Sequence, residues 1–210
     1  MILIGQYDSP FVRRIAIAMR LYDLPYKHLP WSTFGDADRL AAHNPLRRVP
    51  TLILDDGDAL IDSVAILDHL DEVVGPERAL MPVAGPARRA MLRITVMATG
   101  LCDKMVSLVY EQVLHDRPSE VWMSRCAAQI TGVLDALEAQ RAACTQPFWA
   151  GTAPGHADIA VGCALRFLSE AHPALHAPRR HPHLAAHAAS CEAMEVFKAV
   201  VQAFDPPRRK

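Results

Sequence analysis

Asn44-Pro45-Leu46-Arg47-Arg48-Val49-Pro50-Thr51-Leu52, followed downstream by Asp62-Ser63, is the stretch that decides the fold. Pro50 stands directly before the apolar run Thr51-Leu52-Ile53-Leu54, where a strand is expected to begin. Proline cannot donate to a sheet ladder, so it is tolerated at a strand start and marks a turn there. Asp62-Ser63 opens a helical pattern, Val64-Ala65-Ile66-Leu67-Asp68-His69-Leu70, with Ser63 expected at the capping position. A turn that exposes main chain, beside a helix N-terminus ready for an anion, suits the capture of a small peptide.

Working outward, strand-like and helix-like segments alternate through the first 74 residues. Ile2 to Tyr7 reads as a buried strand. Asp8-Ser9-Pro10 then supplies a turn, a capping residue and a proline at the first helical position. Phe11 to Tyr22 carries apolar residues at helical spacing, Tyr26 to Trp31 reads as a second strand, and Asp36 to Ala42 as a short helix. Thr51–Leu54 and Ala59–Ile61 flank the hairpin turn Asp55-Asp56-Gly57-Asp58, and Ser63 to Val74 closes the unit. A βαβ unit followed by a β-hairpin and a helix (βαβ-ββα) is the thioredoxin-like order.

Gly-Pro, Met-Pro and Gly-Pro dipeptides between Gly75 and Pro86 read as a linker, giving a first domain over 1–75, a linker over 76–86 and a second domain over 87–210. Beyond it strand signals nearly vanish. Helices are expected over 87–115 (with a kink near Gly100), 119–143, 158–171 and 184–203, so the fold class is α/β plus all-α, with a helical bundle as the second domain. The residues from Asp205 to Lys210 read as a frayed tail.

The chain of 210 residues is 51% hydrophobic, enough for an ordinary core, and its formal charge of −1 gives no reason to expect nucleic acid or an anionic membrane as partner. Its five cysteines form no C-x-x-C pair and read as reduced, mostly buried thiols. With no basic leader and no bilayer-length apolar run, a cytoplasmic location is expected.

The motif Asn-Pro-x-x-Arg-Val-Pro with its Asp-Ser pair resembles the glutathione-binding half of the glutathione S-transferases. Tyr7-Asp8-Ser9-Pro10-Phe11-Val12-Arg13-Arg14 is similar to their serine-type branch. The resemblance implies a glutathione transferase, with glutathione as co-substrate, no metal, and an apolar electrophile bound beside it. Ser9 would then be the catalytic hydroxyl, donating to the glutathione sulfur. A free thiol titrates near 8.5, so a hydroxyl donor and the positive end of a helix are needed to favour the thiolate at neutral pH. Capping and activation are expected to compete for the Ser9 hydroxyl. Tyr7 is the rival donor, being the residue type that other branches use.

The same resemblance places the γ-glutamyl carboxylate on Ser63, its ammonium group on Asp62, and the cysteinyl main chain on Val49, which requires a cis Pro50. It places the glycine carboxylate on Arg48. Arg47 replaces the family's usual glycine and reads as a solvated arm. A homodimer is implied as well. Two readings stay beside the transferase: a glutathione-dependent isomerase or reductase, and a non-catalytic binding or regulatory protein of the same fold.

Other features read as structural. His172, His176, His181, His183 and His187 have spacings that a metal could use, but the Ala-Pro-Arg-Arg-His-Pro-His stretch among them holds no carboxylate or thiolate. Met91, Ile94, Met97, Leu101, Met105 and Leu108 follow a core face, and Cys102 reads as a buried small hydrophobe. At Gly155-His156-Ala157-Asp158 a capping box lacks its hydroxyl, so Asp158 is expected to reach back to the Gly155 N–H alone. On that reading Gly155→Ser should stabilise the helix.

Overall fold

Ile2–Ile4 (β1), Pro10–Leu21 (α1), Lys27–Leu29 (β2), Ala37–Ala41 (α2), Thr51–Ile53 (β3), Ala59–Ile61 (β4) and Ser63–Val74 (α3) make up the first half of the chain, in a computed structural model that describes residues 1–207. The sheet runs β2-β1-β3-β4, with β1 parallel to β2 and antiparallel to β3, and β3 antiparallel to β4. This is the thioredoxin-like order that the sequence implies. The strands are shorter than their apolar runs. β1 stops at Ile4 because Gly5 turns the chain at φ 132°, and β2 stops at Leu29, before Pro30, which cannot continue a ladder.

The pairing of Ile4 with Thr51 brings the end of β1 beside the turn that precedes β3. Gly5 is what allows the two to meet. A Cβ on it would lie 2.5 Å from Val12 Cγ2 and 2.8 Å from Val49 Cβ, closer than real side chains come. Nothing in the reading of the sequence singled this glycine out.

α1 is buried along most of its length. Val12, Ile15, Ala16, Ile17, Ala18 and Met19 are fully enclosed, and the helix packs against α3 on one side and the second half of the chain on another. At roughly 1.5–3 kcal/mol for each large apolar side chain buried, this helix ties the halves together.

The second half is all helical among the described residues: Gly85–Leu114 (α4), Glu120–Ala142 (α5), His156–Ala171 (α6), Pro182–Glu192 (α7) and Glu195–Lys198 (α8). α4 starts inside the stretch read as a linker and runs through Gly100 without a break. α6 opens two residues before Asp158. The expected helix over 184–203 is instead two, because α7 ends at Glu192, and residues 201–207 follow α8 without regular structure. Ile94, Leu101 and Met105 from α4 meet Ile130, Leu134 and Leu137 from α5 and the enclosed length of α6 in one core. The methionine-rich face of α4 is therefore core, as its spacing implies, and Cys102 is buried within it, its thiol pushed well above the ordinary range by burial.

The start of α6 corrects one expectation. The fully buried Asp158 carboxylate accepts N–H bonds from Trp149 at 2.8 Å, Ala150 at 3.3 Å and Gly155 at 3.0 Å, so the half box is present and extended. Gly155 has an ordinary φ of −108°, yet a Cβ there would lie 2.8 Å from the Leu80 carbonyl oxygen and 2.9 Å from Ala150 Cβ. Space, not backbone angle, demands glycine. A serine would collide before it could cap.

A buried polar cluster joins the halves. The Tyr22 hydroxyl donates to Asp71, whose Oδ1 also accepts from His156 Nε2 at 3.0 Å and from the Leu80 N–H at 3.1 Å. The histidines with metal-like spacing are engaged separately. His172 donates to the Met105 carbonyl at 2.9 Å, His181 pairs with Asp135 at 2.8 Å and His183 with Glu138 at 2.7 Å. Among the described residues no group of three histidine, cysteine or acidic side chains is arranged to hold a metal ion. The tail expected to fray is held as far as Asp205. Gln202 Oε1 accepts the Tyr7 N–H at 3.0 Å, Glu170 accepts the Phe204 N–H at 2.9 Å, and Asp8 accepts the Asp205 N–H at 3.2 Å. Arg208, Arg209 and Lys210 lie outside the described residues.

Candidate functional site

A cavity of about 430 Å³ lies between the halves, at the N-terminus of α1. Ser9 stands at its floor, where β1 hands over to α1. Its hydroxyl oxygen accepts a long bond of 3.5 Å from the Val12 N–H, so it is the N-cap, as the Ser-Pro pair implies. The expected competition between capping and activation does not arise. Capping uses an oxygen lone pair, and the hydroxyl proton has no acceptor among the described residues, so it is free to be donated. The α1 N-terminus adds partial positive charge at the same place.

Tyr7 is turned elsewhere. Its ring stacks on His28 at a centroid distance of 3.9 Å, and its hydroxyl meets the Tyr26 hydroxyl at 2.9 Å. Burial, and then the bond to Tyr26, push the Tyr7 phenol above its ordinary range. It does not line the cavity.

The 44–50 turn forms the next wall. Asn44, almost wholly buried, builds it: its amide donates to the Arg48 carbonyl at 2.9 Å and to Thr51 Oγ1 at 3.1 Å, while its Oδ1 accepts the Leu46 N–H at 2.9 Å. The sequence motif contains Asn44 but gave it no task. A local side-chain acceptor two residues before Leu46 was the available signal. The Val49–Pro50 bond is cis, the geometry that the resemblance requires. Val49 lines the cavity, and neither its N–H nor its C=O has a hydrogen-bond partner among the described residues. An extended peptide could therefore pair with it as with a strand edge.

Arg47 is exposed, as the solvated-arm reading has it. It sits at φ 50°, the left-handed region that glycine enters most easily, which gives the physical reason a glycine is the usual occupant. Its guanidinium lies 3.6 Å from Asp38. Arg48 is exposed, lines the cavity and has no side-chain partner among the described residues. Across from it on α4, burial pushes the Asp103 carboxyl and the Tyr110 phenol up, with the Arg48 charge pulling both the other way.

A smaller cleft of about 200 Å³ continues from Arg48 and Val49 to the N-terminus of α3, where Asp62 and Ser63 line it. The capping assignment changes here. Asp62 is the N-cap, its Oδ1 accepting the Val64 N–H at 3.0 Å, and Ser63 is the first helical residue. Asp62 holds φ 70° and ψ 136°, costly for a residue with a Cβ and of the kind that clusters at ligand sites. Its second carboxylate oxygen remains available. Ser63, only 2% exposed, accepts a bond of 3.1 Å from Arg14 Nη1.

The far wall of the large cavity is apolar and aromatic. Phe34 meets Tyr110 edge to face at 5.3 Å, and Phe167 meets Phe204 likewise at 5.3 Å. Phe11 and Val106 line the same cavity. The structure thus brings Ser9, Arg48 and Val49 to one cavity and Arg48, Val49, Asp62 and Ser63 to the adjoining one, with aromatic side chains lining the first.

Residues 3–78 match the model of the glutathione S-transferase N-terminal domain, and residues 120–190 that of its C-terminal domain. A glutathione S-transferase from Methylobacterium radiotolerans, solved in complex with glutathione sulfonate, superposes with a TM-score of 0.91 at 28% identity, over 100% of this chain and 98% of that one. A glutathione transferase family member from Pseudomonas fluorescens Pf-5, solved with bound glutathione, gives a TM-score of 0.81 at 30% identity, over 95% and 97%. A maleylacetoacetate isomerase from Pseudomonas aeruginosa is 29% identical over 165 residues, 73% of this chain and 74% of that one.

Proposed function

The chain belongs to the glutathione S-transferase family, and on that premise we propose that it binds glutathione in these joined clefts and directs its thiolate at a small apolar electrophile. One observation carries the reading: a free hydroxyl proton on Ser9, at the end of α1, opens into the same cavity as the unpaired main chain of Val49. The Val49 amide and carbonyl pair with the cysteinyl main chain of the tripeptide. Arg48 receives the glycine carboxylate, and Ser63 with the α3 N-terminus receives the γ-glutamyl carboxylate, next to Asp62 for the ammonium group. That seating brings the sulfur to Ser9.

The catalytic gain comes from two sources. Ser9 and the α1 dipole stabilise the thiolate, and the aromatic wall holds the electrophile near it. Attack forms a carbon–sulfur bond, and the displaced group leaves with the electron pair. Residues 1–75 act as the glutathione-binding domain and residues 87–210 as the electrophile-binding one, joined through 76–86. The isomerase relative supports a second reading, in which the thiolate adds to an unsaturated substrate and is later expelled.

A homodimer is part of the proposal. Arg88 on α4 pairs with Asp68 on α3 at 3.3 Å, and one turn away from each, Leu92 and Val64 are exposed on the same side, with Val96 beyond. Such an apolar strip suits a self-complementary contact. The five cysteines are all unpaired, which supports a reducing compartment such as the cytoplasm, and no helix of the described residues is long and apolar enough to cross a membrane.

Calorimetric titration with glutathione, then a panel of aryl halides, epoxides and unsaturated carbonyls, tests the reading. Binding at micromolar to low-millimolar concentration with turnover of one class supports it. No heat at millimolar glutathione would remove it.

A further inference from the structure

Phe11, Trp31, Phe34, Tyr110, Phe167 and Phe204 line the large cavity, in a chain that is only 6% aromatic. Such a lining takes a flat ring. The charges around it are less evenly shared. Its cations, Arg47 and Arg48, both stand on the 44–50 turn, and no lysine or histidine among the described residues joins them. Arg47 has Asp38 beside it at 3.6 Å. Arg48 is engaged by the glycine carboxylate once the tripeptide is seated.

Three carboxylates line the same cavity: Asp8, Asp103 and Asp205. Asp103 belongs to the glutathione side, since it also lines the smaller cleft, and Arg48 and Asp62 are among the charges acting on it. Asp8 belongs to the electrophile side. It stands one residue before Ser9, half-buried, and its Oδ2 accepts the Asp205 N–H at 3.2 Å, beside Phe204 of the aromatic wall. Its charge also acts on the Tyr110 phenol in that wall.

Among the described residues no lysine, arginine or histidine pairs with Asp8. Burial pushes its carboxyl above the ordinary range; the N–H bonds from Asp205 and Ser9 pull it back, and the Asp205 charge adds to the rise. Holding the tail needs only an acceptor oxygen, which an asparagine would supply. The charge is surplus to that task. A half-buried carboxylate without a counter-charge gains from a cation brought beside it and repels a second anion.

We propose that Asp8 is a specificity residue for the second substrate: its carboxylate selects aromatic electrophiles that carry an ammonium or similar cationic group, and turns away carboxylated ones. This selection rests on the glutathione reading, in which the ring lies against the aromatic wall and the reacting carbon meets the sulfur at Ser9. Attraction and repulsion both contribute, so acids are excluded as well as cations favoured.

The test uses S-benzylglutathiones whose ring bears, at the meta or the para position, an aminomethyl, hydroxymethyl or carboxylate group. These thioethers fill both clefts without turnover, and they hold no thiolate that would itself attract a cation. Each is titrated by calorimetry into the wild type and Asp8→Asn, which keeps an acceptor for the Asp205 N–H. In one series or both, the wild type should bind the aminomethyl conjugate about fivefold more tightly than the hydroxymethyl one, and the carboxylate more weakly still. The preference should shrink as salt is raised. Asp8→Asn should erase most of it and leave the hydroxymethyl conjugate unchanged.

A wild type with no such preference in either series overturns the proposal, as does a preference that survives in Asp8→Asn. Equal weakening of all three conjugates in Asp8→Asn makes Asp8 an anchor of the tail and nothing more. If Asp8→Asn does not fold, a crystal structure of the wild type with the aminomethyl conjugate decides. The ammonium group should lie within about 4 Å of an Asp8 oxygen, and a group turned away from it overturns the idea. A wild type that binds neither glutathione nor any conjugate removes the glutathione reading and this proposal together. Binding of glutathione and of all conjugates alike removes only the proposal.

Discussion

Replacing Ser9 by alanine removes the one hydroxyl that the cavity offers to a sulfur at the α1 N-terminus. A hydrogen bond to a charged group contributes about 1.5–3 kcal/mol. One pKa unit corresponds to about 1.4 kcal/mol. The thiol of bound glutathione should therefore titrate about one to two units higher in Ser9→Ala than in the wild type. At neutral pH the thiolate population, and with it the rate, should fall about 10- to 100-fold, and it should recover as pH rises toward the new pKa. The α1 dipole is unchanged by the substitution, so some depression below the free thiol value of about 8.5 should persist.

Stability should suffer little. The capping bond to Val12 is 3.5 Å long, at the limit of a hydrogen bond, so its loss should cost no more than about 0.5–1 kcal/mol. Tyr7→Phe is the control. It breaks the 2.9 Å contact with Tyr26 outside the cavity and should leave the thiolate alone. Ultraviolet absorbance of the bound thiolate against pH, in both variants, reads the effect without the natural electrophile. If Tyr7→Phe abolishes the thiolate signal while Ser9→Ala preserves it, Ser9 is only a helix cap and the assignment is wrong.

Arg48→Ala should raise the Michaelis constant for glutathione with little change in turnover, because a carboxylate contact is the same in ground and transition states; parallel losses in turnover and catalytic efficiency would contradict this. Gly155→Ser should lower the melting temperature, at a cost of about 1–3 kcal/mol for overpacking against the Leu80 carbonyl; an unchanged or higher midpoint in thermal denaturation would refute it. Burial lowers the folded-state pKa of His156, His172 and His187, so on acidification the unfolded chain takes up protons at these rings before the fold does. Their stabilisation is complete above about pH 6.5 and falls on acidification, by up to about 1.4 kcal/mol per pH unit for each ring, until the folded-state values are reached. A melting temperature that stays level between about pH 7 and 5.5 would count against it.

The parts of the site legible in the sequence were those carried by local chemistry. Ser9-Pro10 announces a capped helix from residue types alone, and Thr51–Ile53, Ala59–Ile61 and Ser63–Val74 follow from turn chemistry and periodicity. What stayed hidden depends on residues distant in the chain. Gly5 is required because Val12 and Val49 converge on it, and no pattern within a few residues of Gly5 expresses that. The Tyr22–Asp71–His156 cluster joins the ends or faces of three helices, and nothing in any one of those segments points to the other two. The N-cap of α3 was displaced by one residue for a related reason. Asp62 and Ser63 can both cap by composition, and only the φ of 70° at Asp62 places its carboxylate over the Val64 N–H.

Gly155 shows how a sound local rule fails. Serine is the better cap in isolation, and the missing hydroxyl looks like a defect in the sequence. In the fold the connecting segment before α4 lays the Leu80 carbonyl against that position, where the oxygen also accepts the His156 N–H at 3.1 Å. The Asp158 carboxylate takes over the capping task from the other end, holding the N–H groups of Trp149, Ala150 and Gly155. The helix start is thus optimised for close approach between the two halves and not for its own propensity. Arg47 poses the converse case: a side chain stands at φ 50°, where glycine would be easier, and it ends beside Asp38 at the rim of the cavity. Where this chain departs from the family's pattern within the glutathione half, it adds a cation at the mouth of the cleft, and the tripeptide proposed to enter that cleft is itself an anion. Asp38, 3.6 Å away, offsets that charge locally and both side chains are exposed, so any attraction Arg47 adds for such an anion should be small and should fade as salt is raised.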